Sequence, residues 1–246
     1  MKPFIALVTL AAASAWAQPA LTPPHLGFIA DSRDNLRPVY GIAGNFVVGA
    51  PAASGAISAA FSGSCGLLKT DKAVVAFDPQ GKTLASIDAP AGAALFAFAP
   101  SGDAALIYVA GTLIRYGAGR FIALHTDSAE VIAVAWPDSL IVQRGDGLWK
   151  LSLVNGTVRS QIALNGVTAP VLALPSGELV SGDAHGFVLT KPDGSQVLIA
   201  AKLPARFSLQ QLGDGWVGIS DAASPARFAL RVTPGREGFY RIPEAR

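Results

Sequence analysis

The chain has 246 residues, 51% of them hydrophobic and 15% charged, with 19 basic against 17 acidic residues and a single cysteine. Charges this few and this evenly balanced exclude the basic stripe that a nucleic-acid surface requires, and one cysteine excludes an intramolecular disulfide framework. No stretch approaches the run of apolar residues a membrane-spanning helix needs, so the hydrophobicity must be buried in a folded core.

Lys2, an apolar run over residues 4–13 and the small-residue triplet Ala15-Trp16-Ala17 match the order of a secretory signal peptide. The run is too short to cross a bilayer, and no cysteine stands after the expected cleavage point to carry a lipid. Residues 1–17 are therefore expected to be removed after Ala17, leaving a single domain over 18–246 in the periplasm or outside the cell.

Residues 26–30, 36–42 and 46–48 read as three short strands. The turn between the first two, Asp31-Ser32-Arg33-Asp34-Asn35, is out of step with the later turns of the chain, and residues 26–56 form an irregular opening unit. From there two rows of turns keep one period. The first holds Gly63, Pro100, Pro137, Pro175 and Gly213, at steps of 37, 37, 38 and 38. The second holds Gly81, Gly119, Gly156, Gly194 and Gly235, at steps of 38, 37, 38 and 41. Pro, Asn, Asp and Gly supply the fixed or positive φ that tight hairpins demand.

Between the turns lie short β-branched, aromatic and aliphatic runs such as 131–136, 140–143, 148–153 and 157–164, so each unit reads as four strands. Five full repeats fall near 57–91, 92–128, 129–165, 166–204 and 205–243. A four-stranded antiparallel sheet has two faces to bury, and stacking such sheets around an axis buries both while shielding most edges. The expected fold is all-β, a β-propeller of four-stranded antiparallel blades. Six blades with a reduced N-terminal blade are preferred over five blades with an N-terminal extension.

The turn Phe98-Ala99-Pro100-Ser101-Gly102-Asp103 resembles the F-x-P-x-G-x turn of secreted bacterial members of the β-propeller repeat superfamily. The opening Gly27-Phe28-Ile29-Ala30-Asp31-Ser32, with Leu36-Arg37-Pro38-Val39-Tyr40-Gly41-Ile42, is similar to the start of exported bacterial propellers. The resemblance covers residues 26–243 and implies a fold without an activity. The Gly-His and Trp-Asp signatures of WD repeats and a full quinone-binding pattern are missing, so neither an intracellular scaffold nor a quinone cofactor is implied, and no cofactor is expected.

Candidate sites lie in loops. The turns between the second and third strands carry Asp71, Asp146, Asp183 and Asp221, with Ala110 in the remaining unit. Asp at the start of a tight turn accepts hydrogen bonds from its own backbone, and that role is expected here. The connections from each fourth strand to the next blade carry Asp88, His125, Asp127 and Asn165. Such connections run toward the central channel, which makes these four the candidate ligand-binding residues. His25 and His185 have no ligand spacing, and no metal site is expected. Cys65 is expected as a small buried hydrophobe, and Trp136 and Trp216 as packing residues between blades.

No nucleophile elbow, phosphate loop or dinucleotide fingerprint is present. The function expected is a non-catalytic module, a monomer that holds a protein or small ligand, without nucleic-acid or membrane-spanning partners. The alternative is a hydrolase or lyase at the channel mouth, similar to lactonase and lyase propellers. A channel lined by converging carboxylates and histidine would favour the enzyme; an apolar or loosely polar one would favour binding.

Overall fold

A computed structural model describes residues 23–125, 130–183, 185–213 and 215–244. The expected leader over 1–17 lies outside them, as does Asp127. The described residues form twenty-three strands and no helix. The first sheet holds β1 (His25–Ala30), β2 (Leu36–Ile42) and β3 (Asn45–Val48). The second holds β4 (Ser58–Phe61), β5 (Gly66–Lys69), β6 (Ala73–Phe77) and β7 (Thr83–Asp88), and the third β8 (Ala94–Phe98), β9 (Ala105–Val109), β10 (Thr112–Gly117) and β11 (Arg120–His125). The fourth holds β12 (Val131–Ala135), β13 (Ser139–Arg144), β14 (Gly147–Val154) and β15 (Thr157–Ala163). The fifth holds β16 (Val171–Ala173), β17 (Leu179–Gly182), β18 (Gly186–Thr190) and β19 (Gln196–Ala200). The sixth holds β20 (Phe207–Gln211), β21 (Trp216–Asp221), β22 (Arg227–Arg231) and β23 (Gly238–Ile242). Every sheet is an antiparallel meander in sequence order.

The six sheets are blades of one ring, and the chain is a six-bladed β-propeller. Each seam between neighbours holds its own apolar cluster. Leu67 and Val74 of the second blade meet Phe96 and Ile107 of the third. Leu106 and Leu113 meet Leu140 and Val142 of the fourth, and Ile141 and Leu148 meet Val171 and Leu179 of the fifth. Phe187 and Leu189 meet Val217 and Leu230 of the sixth. The ring closes where Leu212, Ala229 and Ile242 pack on Leu26, Ile29 and Phe46 of the first blade, which in turn packs Phe28 and Leu36 against Phe61 and Phe77 of the second. Alternation along the strands sends successive side chains to opposite seams. Leu67 faces one way and Leu68 the other, and both are buried.

The first blade is short of one strand, and its missing strand is the innermost. Asp34 at the β1–β2 turn borders the same depression as Ile57, Thr70, Asp71 and Lys72, so this turn stands on the face of the β5–β6 turn. At the other end of β1, the carbonyl of Leu26 accepts from the amide of Gly213, in the β20–β21 turn. β1 therefore runs as the second strand of a blade, and β1–β3 are second, third and fourth strands. Among the described residues the first blade has no inner strand, and β20 lies directly beside β4. Six blades thus surround an inner ring of five strands: β4, β8, β12, β16 and β20.

An inner strand would have paired with the free edge of β1, and the sixth blade supplies substitutes. The carbonyls of Leu26, Phe28 and Ala30, alternate residues on that edge, accept from Gly213 N, from Gln210 Nε2 at 2.5 Å and from Arg227 Nε at 3.3 Å. Buried backbone carbonyls need such partners. Close approach requires glycine on both sides. A Cβ on Gly213 would lie 2.8 Å from the Leu26 carbonyl oxygen, and one on Gly27, where φ is +142°, would lie 3.2 Å from both Gly213 N and Phe61.

Candidate functional site

The inner strands enclose a cavity of about 470 Å³ on the ring axis. Part of its wall is small and apolar: Ala59, Ala94, Ala133, Val171 and Leu209 come from five different blades. Alanine at inner positions leaves the axis open where larger side chains would fill it. Neighbouring inner strands are tied by the amide of Ala94 donating to Ser58 Oγ at 2.9 Å.

Charged groups gather near the end of the cavity that faces the β1–β2 and β5–β6 turns, where Asp31, Asp34 and Arg227 line it with Ser58 and Ser220, while Ser208, Gln210 and Gln211 line it along β20. Asp31 is fixed. Its Oδ2 accepts from Arg37 Nε at 2.6 Å, and its Oδ1 accepts from the amides of Arg33 at 2.8 Å and Asn35 at 2.9 Å. Burial opposes ionisation of this carboxyl, but the bonds from Arg37, Asn35 and Arg33 outweigh it and hold Asp31 well below the usual carboxylate range. Arg227 spends Nε on Ala30 O and donates from Nη1 to Ala226 O at 3.2 Å. Outside this wall a second hollow of about 180 Å³ is bordered by Asp31, Arg33, Arg37 and Arg227. At the end of β20, Gln211 also lines the axial cavity; it is 5% exposed, and its Oε1 is buried without a hydrogen-bond partner.

Of the four residues predicted from sequence, Asp88 is exposed at the end of β7, paired across the sheet with Ala73, and Asn165 is exposed in the turn after β15. His125 closes β11, and its side chain, like the whole of Asp127, lies outside the described residues. Neither Asp88 nor Asn165 lines the axial cavity. A connection from an outermost strand must cross the blade to reach the axis, and these two stand at its outer start. Ala56 and Ile57, Ala93, and Pro170, at the inner ends of three such connections, do line the cavity.

Two of the four aspartates between second and third strands, Asp183 and Asp221, cap their own turns as expected. Asp183 Oδ1 accepts from the amides of His185 and Gly186, and Asp221 accepts from the amide of Ala223 and from Ser224 Oγ. Asp31 holds the same place in the first blade, 40 residues before Asp71, although it was expected to be out of step. Among the described residues no three His, Cys, Asp or Glu side chains converge as metal ligands. Trp136 and Trp216 pack in seams, under the guanidinium groups of Arg115 and Arg231 at 5.8 and 5.4 Å. Cys65 is buried, and that burial pushes its thiol pKa up.

Comparison with known proteins adds to the fold alone. No protein-family model matches the chain, and no curated protein matches its sequence. Among solved structures it is similar to a protein of unknown function from Bacteroides caccae, with a TM-score of 0.53 and 16% identity over 91% of this chain and 100% of the other. It also matches regucalcin, a calcium-binding protein from Agrobacterium tumefaciens, with a TM-score of 0.49 and 13% identity over 82% and 85% of the two chains. PorZ, a surface component of the type-IX secretion system of Porphyromonas gingivalis, matches with a TM-score of 0.48 and 12% identity; the likeness covers 90% of this chain and 33% of PorZ.

Proposed function

We propose that the chain is an exported, non-catalytic binding module that holds a small amphiphilic molecule in its axial cavity. The observation that carries this reading is the character of the cavity: about 470 Å³, with alanine and aliphatic side chains from five blades on its wall, charged groups only near one end, and a polar line of Ser208, Gln210 and Gln211 along β20. Ligand sites are commonly of this size and of this mostly apolar make-up, with a few placed polar groups. The apolar body of the ligand lies along the inner strands and its polar end meets Arg227 and Ser58. Asp88 and Asn165 stand at the outer margin of the same face. The chemistry of the wall favours binding over turnover, because no histidine lines it among the described residues and the Asp31 carboxylate is committed to Arg37.

The dye 8-anilinonaphthalene-1-sulfonate, apolar with one anionic end, is a suitable probe. The reading predicts saturable one-site binding, with Ala133→Phe, which fills the axis, weakening it at least about tenfold, equivalent to 1.4 kcal/mol. Unchanged binding in an Ala133→Phe variant of unaltered circular dichroism would refute it. Export is tested separately: N-terminal sequencing of the protein from an envelope extract should begin at Gln18, and an intact Met1 would contradict it.

A further inference from the structure

The missing inner strand leaves a vacancy on the opposite face as well. There a cavity of about 280 Å³ opens between the first and last blades, bordered by His25, Leu26, Gly63, Gly213, Trp216 and Arg231. It stands where the first blade would otherwise place the turn into β1. The row of turns on this face carries proline at positions 100, 137 and 175 but glycine at 63 and 213, and those two glycines flank the vacancy.

Four described buried side-chain nitrogen and oxygen atoms lack a hydrogen-bond partner, and two of them, His25 Nε2 and Arg231 Nε, belong to residues bordering this one cavity. Buried polar groups in folded proteins are nearly always satisfied, so a pair of orphans at one hollow points to a ligand. The two are complementary. Arg231 Nε–H is a donor on a guanidinium held over Trp216 at 5.4 Å. His25 is wedged among Phe28, Tyr40 and Phe61, with ring centroids 4.8, 5.0 and 5.0 Å away. Burial keeps its imidazole below the usual pKa and therefore neutral at pH 7, against the opposing pull of a backbone hydrogen bond with Gly27. With its proton on Nδ1, the neutral ring offers Nε2 as an acceptor.

We propose that this cavity binds a carboxamide, whose carbonyl oxygen accepts from Arg231 and whose N–H donates to His25 Nε2. Both side chains turn toward the cavity to meet it, and the remainder of the ligand packs on Leu26 and Trp216. The site is distinct from the axial cavity and stands or falls independently of it.

Three probes of one shape separate the possibilities. Benzamide both accepts and donates, methyl benzoate only accepts, and benzoate offers charge. The binding of each is followed by the shift of the Trp216 indole N–H in nuclear magnetic resonance spectra. The proposal predicts that benzamide binds at least about tenfold more tightly than either of the others. It also predicts that His25→Phe and Arg231→Lys each weaken benzamide at least about tenfold. The second variant keeps the charge and leaves His25 in place, so it serves if His25→Phe fails to fold. Benzoate binding as tightly as benzamide would overturn the proposal in favour of a simple cation site. Unaltered benzamide binding in Arg231→Lys, or no shift at millimolar benzamide, would also overturn it.

Discussion

Replacing Gly213 by alanine adds one methyl group at the place where the ring closes. The methyl carbon would lie 2.8 Å from the Leu26 carbonyl oxygen, closer than real contacts allow, and the neighbour is backbone that cannot swing aside. The β20–β21 turn must then retreat from β1, and the Gly213 N to Leu26 O hydrogen bond goes with it. Overpacking costs about 1–3 kcal/mol and the lost hydrogen bond about 0.5–1.5 kcal/mol. A loss near 2–4 kcal/mol corresponds to a fall in Tm of roughly 4–16 °C for a chain of this size. Thermal unfolding followed by circular dichroism reads it directly. Gly117→Ala is the control, since its added methyl would meet only the Ala104 side chain at 3.6 Å, an ordinary contact. If the two variants melted within a degree or two of each other, the close approach of β1 and β20 would not be what closes the ring.

Two other residues give outcomes of their own. Asp31→Asn removes the partner of Arg37 and should cost about 1–3 kcal/mol at pH 7. Because the folded carboxyl titrates below its unfolded value near 3.9, the stabilisation is fully present above that value and is lost as pH falls through the lower folded one. Denaturant melts of wild type and variant should therefore differ by a constant amount down to about pH 5 and converge in stronger acid. A gap that widened in acid would show that the ion pair is not its source. Cys65, 4% exposed and with its thiol pushed up by burial, should react with a thiol reagent at least about 10³-fold more slowly in the native protein than in denaturant. Comparable rates in the two conditions would place it at the surface.

The fold was legible because turns carry strong chemistry. The proline and glycine rows set the period, and the five regular blades fall where those rows predict. The first blade was harder to read because one row is absent from it, along with the inner strand that would precede that row's turn. The other two rows do reach it. Gly44, at φ +81°, lies 37 residues before Gly81, and Asp31 lies 40 before Asp71. Tracing all three rows back to the N-terminus would have marked β1–β3 as the second to fourth strands of a blade. The site was hidden for a different reason. Much of its wall is alanine, whose importance lies in what it leaves unfilled, and its charged end is lined by Asp31 and Arg227 from opposite ends of the sequence. Asp88 and Asn165 were legible as polar loop residues, but sequence carries no measure of how far along its connection a residue stands from the axis.

That β1–β3 form a true blade of the ring is the claim on which the rest depends, because both cavities are bounded by them. Amide hydrogen exchange over residues 25–48, compared with 105–116 in the third blade, tests it in one measurement. If the first blade is an integral part of the ring, the two regions exchange together, through the same global opening and within about tenfold of each other. Exchange in 25–48 that ran orders of magnitude ahead of an unchanged third blade would mean that the ring closes without it.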